Sequence, residues 1–174
     1  MRQTVRFLVA AVALALAGCV AAQQSRPSPA GTADVTLKGQ TISIHYSRPS
    51  MRGRKIMGEL VPFGQVWRTG ANDATELSTP VNLTIGGANV PAGQYSLYSL
   101  VGEHNWKLIV NKQTGQSGTE YHPDQDLARV DMRLGKTSAP VEQFTISWSK
   151  TGDNAANLVF EWENTKVSVP VKAN

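Results

Sequence analysis

The segment from His45 to Glu76 concentrates the side chains of this 174-residue chain that could bind or transform a ligand. Five of the seventeen basic residues fall between Arg48 and Arg68. Arginine suits carboxylates and phosphates because its planar guanidinium donates paired hydrogen bonds to their oxygens. We therefore predict a site for an anionic or sugar-like ligand, and its candidate residues are Arg48, Arg68, Asn72, Glu76 and His45, with Tyr46 and Trp67 as apolar walls.

A structural role for the same residues is the alternative. Arg48 and Arg68 could pair with carboxylates at Glu59, Asp73 or Glu76 and hold this segment onto a sheet, with Trp67 as a core residue. The exposure of the arginine side chains distinguishes the ligand-site interpretation from the structural one. Arginines that line an open pocket favour a ligand site, and arginines paired inside a closed loop favour a brace.

Catalytic and metal motifs are absent from the sequence. The three histidines occur in no HExxH or HxH spacing, no Gly-x-Ser-x-Gly elbow is found, and one cysteine excludes Cys-based zinc and iron–sulfur sites. We predict no cofactor, no metal and no catalytic residue, so a binding or interaction module is favoured over an enzyme. The alternatives are a hydrolase of envelope polymers or carbohydrates, using His45 or His122 with a carboxylate, and a purely structural envelope protein.

The N-terminus resembles that of a bacterial lipoprotein. Arg2 and Arg6 precede the apolar run Phe7–Ala17, which is too short to span a bilayer as a helix, and Leu16-Ala17-Gly18-Cys19 resembles a lipobox. This predicts a signal peptide over residues 1–18 and a lipid-modified Cys19 that anchors the protein in a membrane. By resemblance to lipoprotein sorting, Val20 implies the periplasmic face of the outer membrane. Cleavage after Ala22 would instead give a soluble periplasmic or secreted protein.

Residues 19–32 predict a flexible tether, because they are polar and contain Pro27, Pro29 and Gly31 without periodicity. Residues 33–172 then form one domain. Hydrophobic residues make up 41% of the chain, which excludes a disordered protein. The formal net charge of +4 falls to +2 without Arg2 and Arg6, so nothing indicates a nucleic-acid partner, and the oligomeric state stays open.

The elements that must position the candidate site are β-strands. Apolar and polar residues alternate in short runs about ten residues apart, which predicts an all-β, antiparallel, jelly-roll-like β-sandwich of about ten strands. The predicted strands are Asp34–Lys38, Thr41–Tyr46, Thr75–Ser78, Val81–Ile85, Gln94–Val101, Asn105–Lys112, Leu127–Leu134, Gln143–Ser149, Asn157–Glu163 and Lys166–Val171. Ser47–Asp73 and Gln113–Asp126 are long loops, and the first is predicted to carry a short helix over Arg54–Leu60.

Several motifs in this domain resemble the family known as domain of unknown function 2911. They are Ser47-Arg48-Pro49, Arg52-Gly53-Arg54-Lys55-Ile56, the run Gly58–Gly64, Val66-Trp67-Arg68-Thr69-Gly70-Ala71-Asn72, the run Pro91–Tyr98, Trp106–Lys112 and Glu142–Ile146. The likeness extends over about Ala33 to Val171. It implies a secreted or envelope-attached bacterial protein, and it implies no activity, cofactor or catalytic residue.

Overall fold

A computed structural model describes residues 28–174, and this part of the chain is all-β. The strands are β1 (Ala30–Leu37), β2 (Gln40–Ser47), β3 (Gln65–Trp67), β4 (Thr75–Thr79), β5 (Leu83–Ile85), β6 (Ala88–Val90), β7 (Gly93–Val101), β8 (Trp106–Asn111), β9 (Asp126–Lys150) and β10 (Ala155–Ala173). Within residues 28–174 no helix is long and apolar enough to cross a membrane. The predicted signal peptide, the Cys19 site and most of the predicted tether lie outside the described residues. β1 itself begins two residues before the predicted end of the tether.

The ten strands form one antiparallel hydrogen-bonded system in the order β1-β2-β4-β7-β8-β9-β10-β5-β6, with β3 paired to β7 beyond the end of β4. One half of this system is β1, β2, β4, β7 and β8 with β3, the other is β10, β5 and β6, and the long strand β9 belongs to both. β9 pairs with β8 through Asp126–Met132 and with β10 through its later residues. The sheet thereby folds over on itself without closing into a barrel, which agrees with the predicted sandwich of about ten strands.

The core lies between the two halves and draws residues from both. Alternation buries Ile42 and Ile44 of β2, Leu97 of β7, and Phe144 and Phe160 of the long strands. The Phe144 ring makes edge contacts with the rings of Tyr46, Trp67 and Phe160, at centroid distances of 5.7, 4.9 and 6.0 Å. This aromatic cluster joins the strands to the long loop between β2 and β4.

The predicted helix at Arg54–Leu60 is wrong. The segment is a turn in which Met57 pairs with Val61, and Gly58 has the positive φ of 86° that a helix cannot accommodate. The Glu163 carboxylate accepts hydrogen bonds from the backbone N–H groups of Ile56 and Met57 at 3.4 and 3.1 Å. The N–H groups of Ile56 and Met57 therefore bond to Glu163 and not to the backbone carbonyls of an α-helix. Within residues 28–174 the single helical turn is the 3-10 turn Pro123–Gln125, in the other long loop.

Candidate functional site

A cavity of about 560 Å³ opens where the two long loops meet. The loop between β2 and β4 contributes Arg52, Arg54 and Arg68 to its wall, and the loop between β8 and β9 contributes Thr119 and Tyr121. None of the described residues that line it is a carboxylate. Because arginines line this wall and no carboxylate is among the described lining residues, we call it the electropositive cavity and expect it to favour anions.

Arg68 is the lining cation with free hydrogen-bonding capacity. Its side chain is half-buried, and its stem packs on Gly118, where an added Cβ would meet Arg68 Cδ at 2.6 Å. Within residues 28–174 the Arg68 guanidinium has neither a hydrogen bond nor an ion pair. A guanidinium held in place by its stem, with its donors unused, is arranged to receive a carboxylate or phosphate.

The backbone around Arg68 is fixed by buried hydroxyl groups. Thr69 is fully buried and its hydroxyl lies 2.8 Å from the Ser99 hydroxyl on β7. Thr75 donates a hydrogen bond of 2.7 Å to the Thr69 carbonyl. Thr69 and Asn72 have positive φ values of 51° and 59°. The segment therefore adopts a tight, specified path from β3 to β4, and Arg68 leaves it toward the cavity.

Aromatic side chains form another part of the wall. The Trp67 and Trp162 rings stack with centroids 5.7 Å apart, and both line the cavity. Across from the loop, Tyr98 and Tyr121 pack with their ring centroids 4.8 Å apart. A ligand that carries a ring or sugar beside its anionic group would find apolar surface here.

The two tyrosines are held by a polar network beneath the second loop. Tyr121 donates a 2.7 Å hydrogen bond to Asp126 and accepts one of 2.8 Å from Arg129. Burial raises the pKa of the Tyr121 phenol to about 12, and the Asp126 carboxylate acts in the same direction. Burial also raises the pKa of Tyr98, which donates to the Glu120 carbonyl. Both phenols are neutral hydrogen-bonding groups at physiological pH.

A second cavity of about 660 Å³ shares Ser28 with the first and has the opposite charge. His45, Asp73 and Glu76 line it, and none of its described lining residues is an arginine or lysine. His45 on β2 lies directly opposite Glu76 on β4 in the antiparallel register. The His45 Nδ1 atom is 3.2 Å from the Thr32 hydroxyl, and Glu76 accepts a 3.1 Å hydrogen bond from the Gly115 backbone.

A family model described as a protein of unknown function, DUF2911, matches residues 28–171. The chain belongs to the DUF2911 family. No curated protein and no solved structure matches the chain. The match extends from the first described residue almost to the end of β10, so both cavities lie inside the DUF2911 domain.

The seven predicted site residues separate into three groups in the DUF2911 domain. Arg68 and Trp67 line the electropositive cavity, while His45 and Glu76 line the second one together with Tyr46. Arg48 lines neither of these two cavities. It donates hydrogen bonds to the Phe144 carbonyl at 3.3 Å and the Thr145 hydroxyl at 3.1 Å, and so it braces β9.

The Tyr46 and Asn72 side chains also have structural partners. Tyr46 is 7% exposed, and its hydroxyl accepts a 3.0 Å hydrogen bond from the Ile146 backbone N–H. The Asn72 amide donates to the Ser47 hydroxyl at 3.1 Å and to the Ser28 carbonyl at 3.3 Å. Tyr46 lines the second cavity and Asn72 lines neither of the two, and the Tyr46 hydroxyl and the Asn72 amide nitrogen are already engaged.

Sequence reasoning missed the contribution of the second loop. Tyr98 and Tyr121 were not among the candidates, because alternation in β7 placed Tyr95 and Leu97 inside and gave Tyr98 no role. The loop is attached to β7 by Gln116, which donates to the Ser96 and Tyr98 hydroxyls at 3.1 Å each. The available signal was the length of the loop itself, since long loops in compact domains usually carry function.

Proposed function

We propose that this DUF2911 domain binds a small ligand that carries a carboxylate or phosphate beside a ring or sugar, in the cavity lined by Arg68. The observation that supports this proposal is Arg68, a half-buried residue that lines a cavity of about 560 Å³ and whose guanidinium makes no hydrogen bond or ion pair within residues 28–174. The volume fits the usual range of small-molecule sites, and the aromatic wall supplies the apolar surface that such sites need.

The test compares a phosphorylated sugar with its neutral parent. We expect glucose 6-phosphate to raise the Tm of the protein and glucose to leave it unchanged, because the phosphate would pair with Arg68. Arg68→Ala should weaken glucose 6-phosphate binding by about 10- to 100-fold, the usual effect of losing a charge-assisted hydrogen bond. Arg68→Lys should recover part of the affinity, since lysine keeps the charge and loses the paired donors.

A matched control is Arg133→Ala, which removes the same charge from an exposed position on β9. Glucose 6-phosphate should bind this variant as it binds the unmodified protein. Equal binding to the Arg68→Ala and Arg133→Ala variants would contradict the proposed site.

We also propose that the protein is exported and anchored by a lipid on Cys19, with the domain on the periplasmic face of the outer membrane. The lipobox-like Leu16-Ala17-Gly18-Cys19 after the apolar run supports this. When the protein is expressed in a diderm bacterium, we expect it in the outer-membrane fraction. Cys19→Ser should remove the added mass of the lipid from the N-terminal peptide, and the variant should no longer be found in that fraction. A soluble product beginning at Gln23 would support the alternative cleavage site instead.

Hydrolysis of an envelope polymer is the second candidate function, and the His45–Glu76 pair favours it. His45 and Glu76 are register neighbours on β2 and β4 and line one cavity, and a histidine with a carboxylate is a pair that acid–base catalysis commonly uses. Purified peptidoglycan would be incubated with the protein, and new reducing ends or free amino groups would be measured. Activity lost in His45→Ala and Glu76→Gln, and kept in His104→Ala, would support this function. No activity in the unmodified protein would exclude it for this polymer.

A further inference from the structure

The wall of the electropositive cavity is poor in groups that could bind the hydroxyls of a sugar. Among the described residues that line it, none is an aspartate, glutamate, asparagine, glutamine or histidine. Its aliphatic hydroxyl groups are those of Ser28, Ser50 and Thr119, and the Thr119 hydroxyl already lies 3.1 Å from the Ser117 hydroxyl. A sugar hydroxyl needs an acceptor for its proton, and the described part of this wall offers it no carboxylate or amide side chain.

The polar atoms of the aromatic wall are used elsewhere in the fold. The Tyr121 hydroxyl is engaged by the polar network beneath the second loop. The Tyr98 hydroxyl donates to the Glu120 carbonyl at 3.2 Å, and the indole N–H of Trp162 donates to the Glu142 carbonyl at 3.2 Å. These three rings can therefore offer a ligand mainly their carbon surface.

Aliphatic side chains extend this apolar surface. Leu60, Val61 and Val66 also line the cavity, and Leu60 is 45% exposed. Trp67 and Tyr121 are half-buried, so part of each ring is left for contact with a ligand. A flat apolar ring placed against this surface would gain from burial and from offset or edge-to-face contacts with the aromatic rings.

Arg68 is the lining cation that is left for an anionic group. The Arg54 guanidinium donates to the Met51 and Ser50 carbonyls at 2.9 and 2.8 Å, and Arg52 is engaged as well. Within residues 28–174 the Arg68 guanidinium has no such partner. One guanidinium with its donors unused suits one carboxylate or phosphate, which it can bind through paired hydrogen bonds.

We infer that the ligand of the electropositive cavity is an amphiphilic anion, in which a flat apolar ring carries one carboxylate or phosphate, and that a sugar phosphate is a poorer ligand. This inference rests on the anion site proposed above and narrows its ligand class. The anionic group would pair with Arg68, and the ring would lie against Leu60, Trp67 and Tyr121. A sugar in the same place would leave hydroxyls unpaired against carbon, which weakens binding.

The test combines two ligand bodies, each with and without a phosphate. The four ligands are 2-naphthyl phosphate, 2-naphthol, glucose 6-phosphate and glucose, and each is titrated into the unmodified protein by calorimetry. We expect 2-naphthyl phosphate to bind about tenfold or more tightly than glucose 6-phosphate, because the two carry the same anionic group and only the naphthyl ring matches the wall. The neutral 2-naphthol should bind about tenfold or more weakly than its phosphate, because it offers Arg68 no anion.

A substitution at Leu60 tests where the ring lies. Leu60→Ser should lower the preference for 2-naphthyl phosphate over glucose 6-phosphate by about threefold or more, because it replaces an apolar lining side chain with a hydroxyl. The matched control is Leu134→Ser, since Leu134 is also an exposed leucine and lies on β9. This variant should keep the preference of the unmodified protein. An equal loss of preference in the two variants would overturn the placement of the ring against this wall.

The preference for an apolar ring and the anion site at Arg68 fail in different ways. If glucose 6-phosphate binds as tightly as 2-naphthyl phosphate and Arg68→Ala weakens both, the apolar ligand class is refuted and the anion site stands. If 2-naphthol binds as tightly as 2-naphthyl phosphate, or Arg68→Ala binds both phosphates as the unmodified protein does, the anion site is refuted. Binding of none of the four ligands would contradict both.

Discussion

At the scale of single residues, two arginines of the same loop have different roles. Arg48 donates to the Phe144 carbonyl and the Thr145 hydroxyl, while the Arg68 guanidinium has no such partner within residues 28–174. Arg48→Ala should therefore lower the free energy of unfolding by about 1–3 kcal/mol. Arg68→Ala should change it by no more than about 0.5 kcal/mol. Urea denaturation of both variants measures this, and an equal loss in the two would make Arg68 a brace like Arg48.

Sequence patterns could identify the loop but not the difference between these arginines. The Arg48 partners Phe144 and Thr145 are 96 and 97 positions away along the chain. Contacts at that separation depend on how β9 lies against β2, and no local pattern specifies it. Trp67 both lines the cavity and packs against the core. Its predicted role as an apolar wall and its alternative role as a core residue are therefore compatible.

Tyr121 predicts an alkaline dependence of stability. Its pKa is about 12 in the folded protein, against about 10 for an unfolded tyrosine. Between these values the unfolded chain has lost a proton that the folded protein keeps, so this contribution to stability is complete below pH 10 and is lost as pH rises toward 12. Tyr121→Phe should flatten the decline in unfolding free energy between about pH 10 and 12. An identical decline in both proteins would contradict the role of burial and Asp126.

At the scale of elements, the strand type was predicted, but the continuity of β9 and β10 and the short strands β3 and β6 were not. The predicted pairs Leu127–Leu134 with Gln143–Ser149, and Asn157–Glu163 with Lys166–Val171, are each one strand, β9 and β10. Between Lys136 and Val141 the ladder to β10 is interrupted opposite Glu163, which has a φ of 55°. That stretch of β9 is mostly exposed and contains Pro140. A polar stretch that contains a proline is typical of a loop, although a bulged strand also accommodates one.

Gly118 is where the two long loops touch. A Cβ there would meet Arg68 Cδ at 2.6 Å and the Asn72 carbonyl oxygen at 2.8 Å, and the Gly118 N–H donates to that oxygen. Gly118→Ala should therefore cost about 1–3 kcal/mol of unfolding free energy and weaken glucose 6-phosphate binding by moving Arg68. Gly152→Ala, at a site with no atom within 4 Å of the added Cβ, is the control and should be nearly neutral. Unaltered binding in Gly118→Ala would argue against a fixed Arg68.

At the scale of the whole molecule, β9 connects the two halves of the sheet, because it pairs with β8 in one half and with β10 in the other. Both long strands hydrogen-bond within the fold over most of their length, and the core between the halves is one cluster from Ala33 to Ala173. The Trp148 indole of β9 donates to the Ala33 carbonyl of β1 at 3.2 Å, which ties the far end of the sheet back to the long strands. We therefore expect the two halves of the sheet beneath the site to unfold together.

Phe144→Ala tests this interdependence, because the Phe144 ring is 1% exposed and joins Tyr46, Trp67, Phe160 and Trp162. Truncating a buried phenylalanine costs about 3–5 kcal/mol through lost burial and the cavity that remains. We expect that loss in one cooperative transition, with tryptophan fluorescence and far-ultraviolet circular dichroism giving the same urea midpoint. Lys150→Ala, exposed at the end of β9, is the control and should leave the midpoint unchanged. Two separated transitions in Phe144→Ala would mean that the halves of the sheet unfold independently.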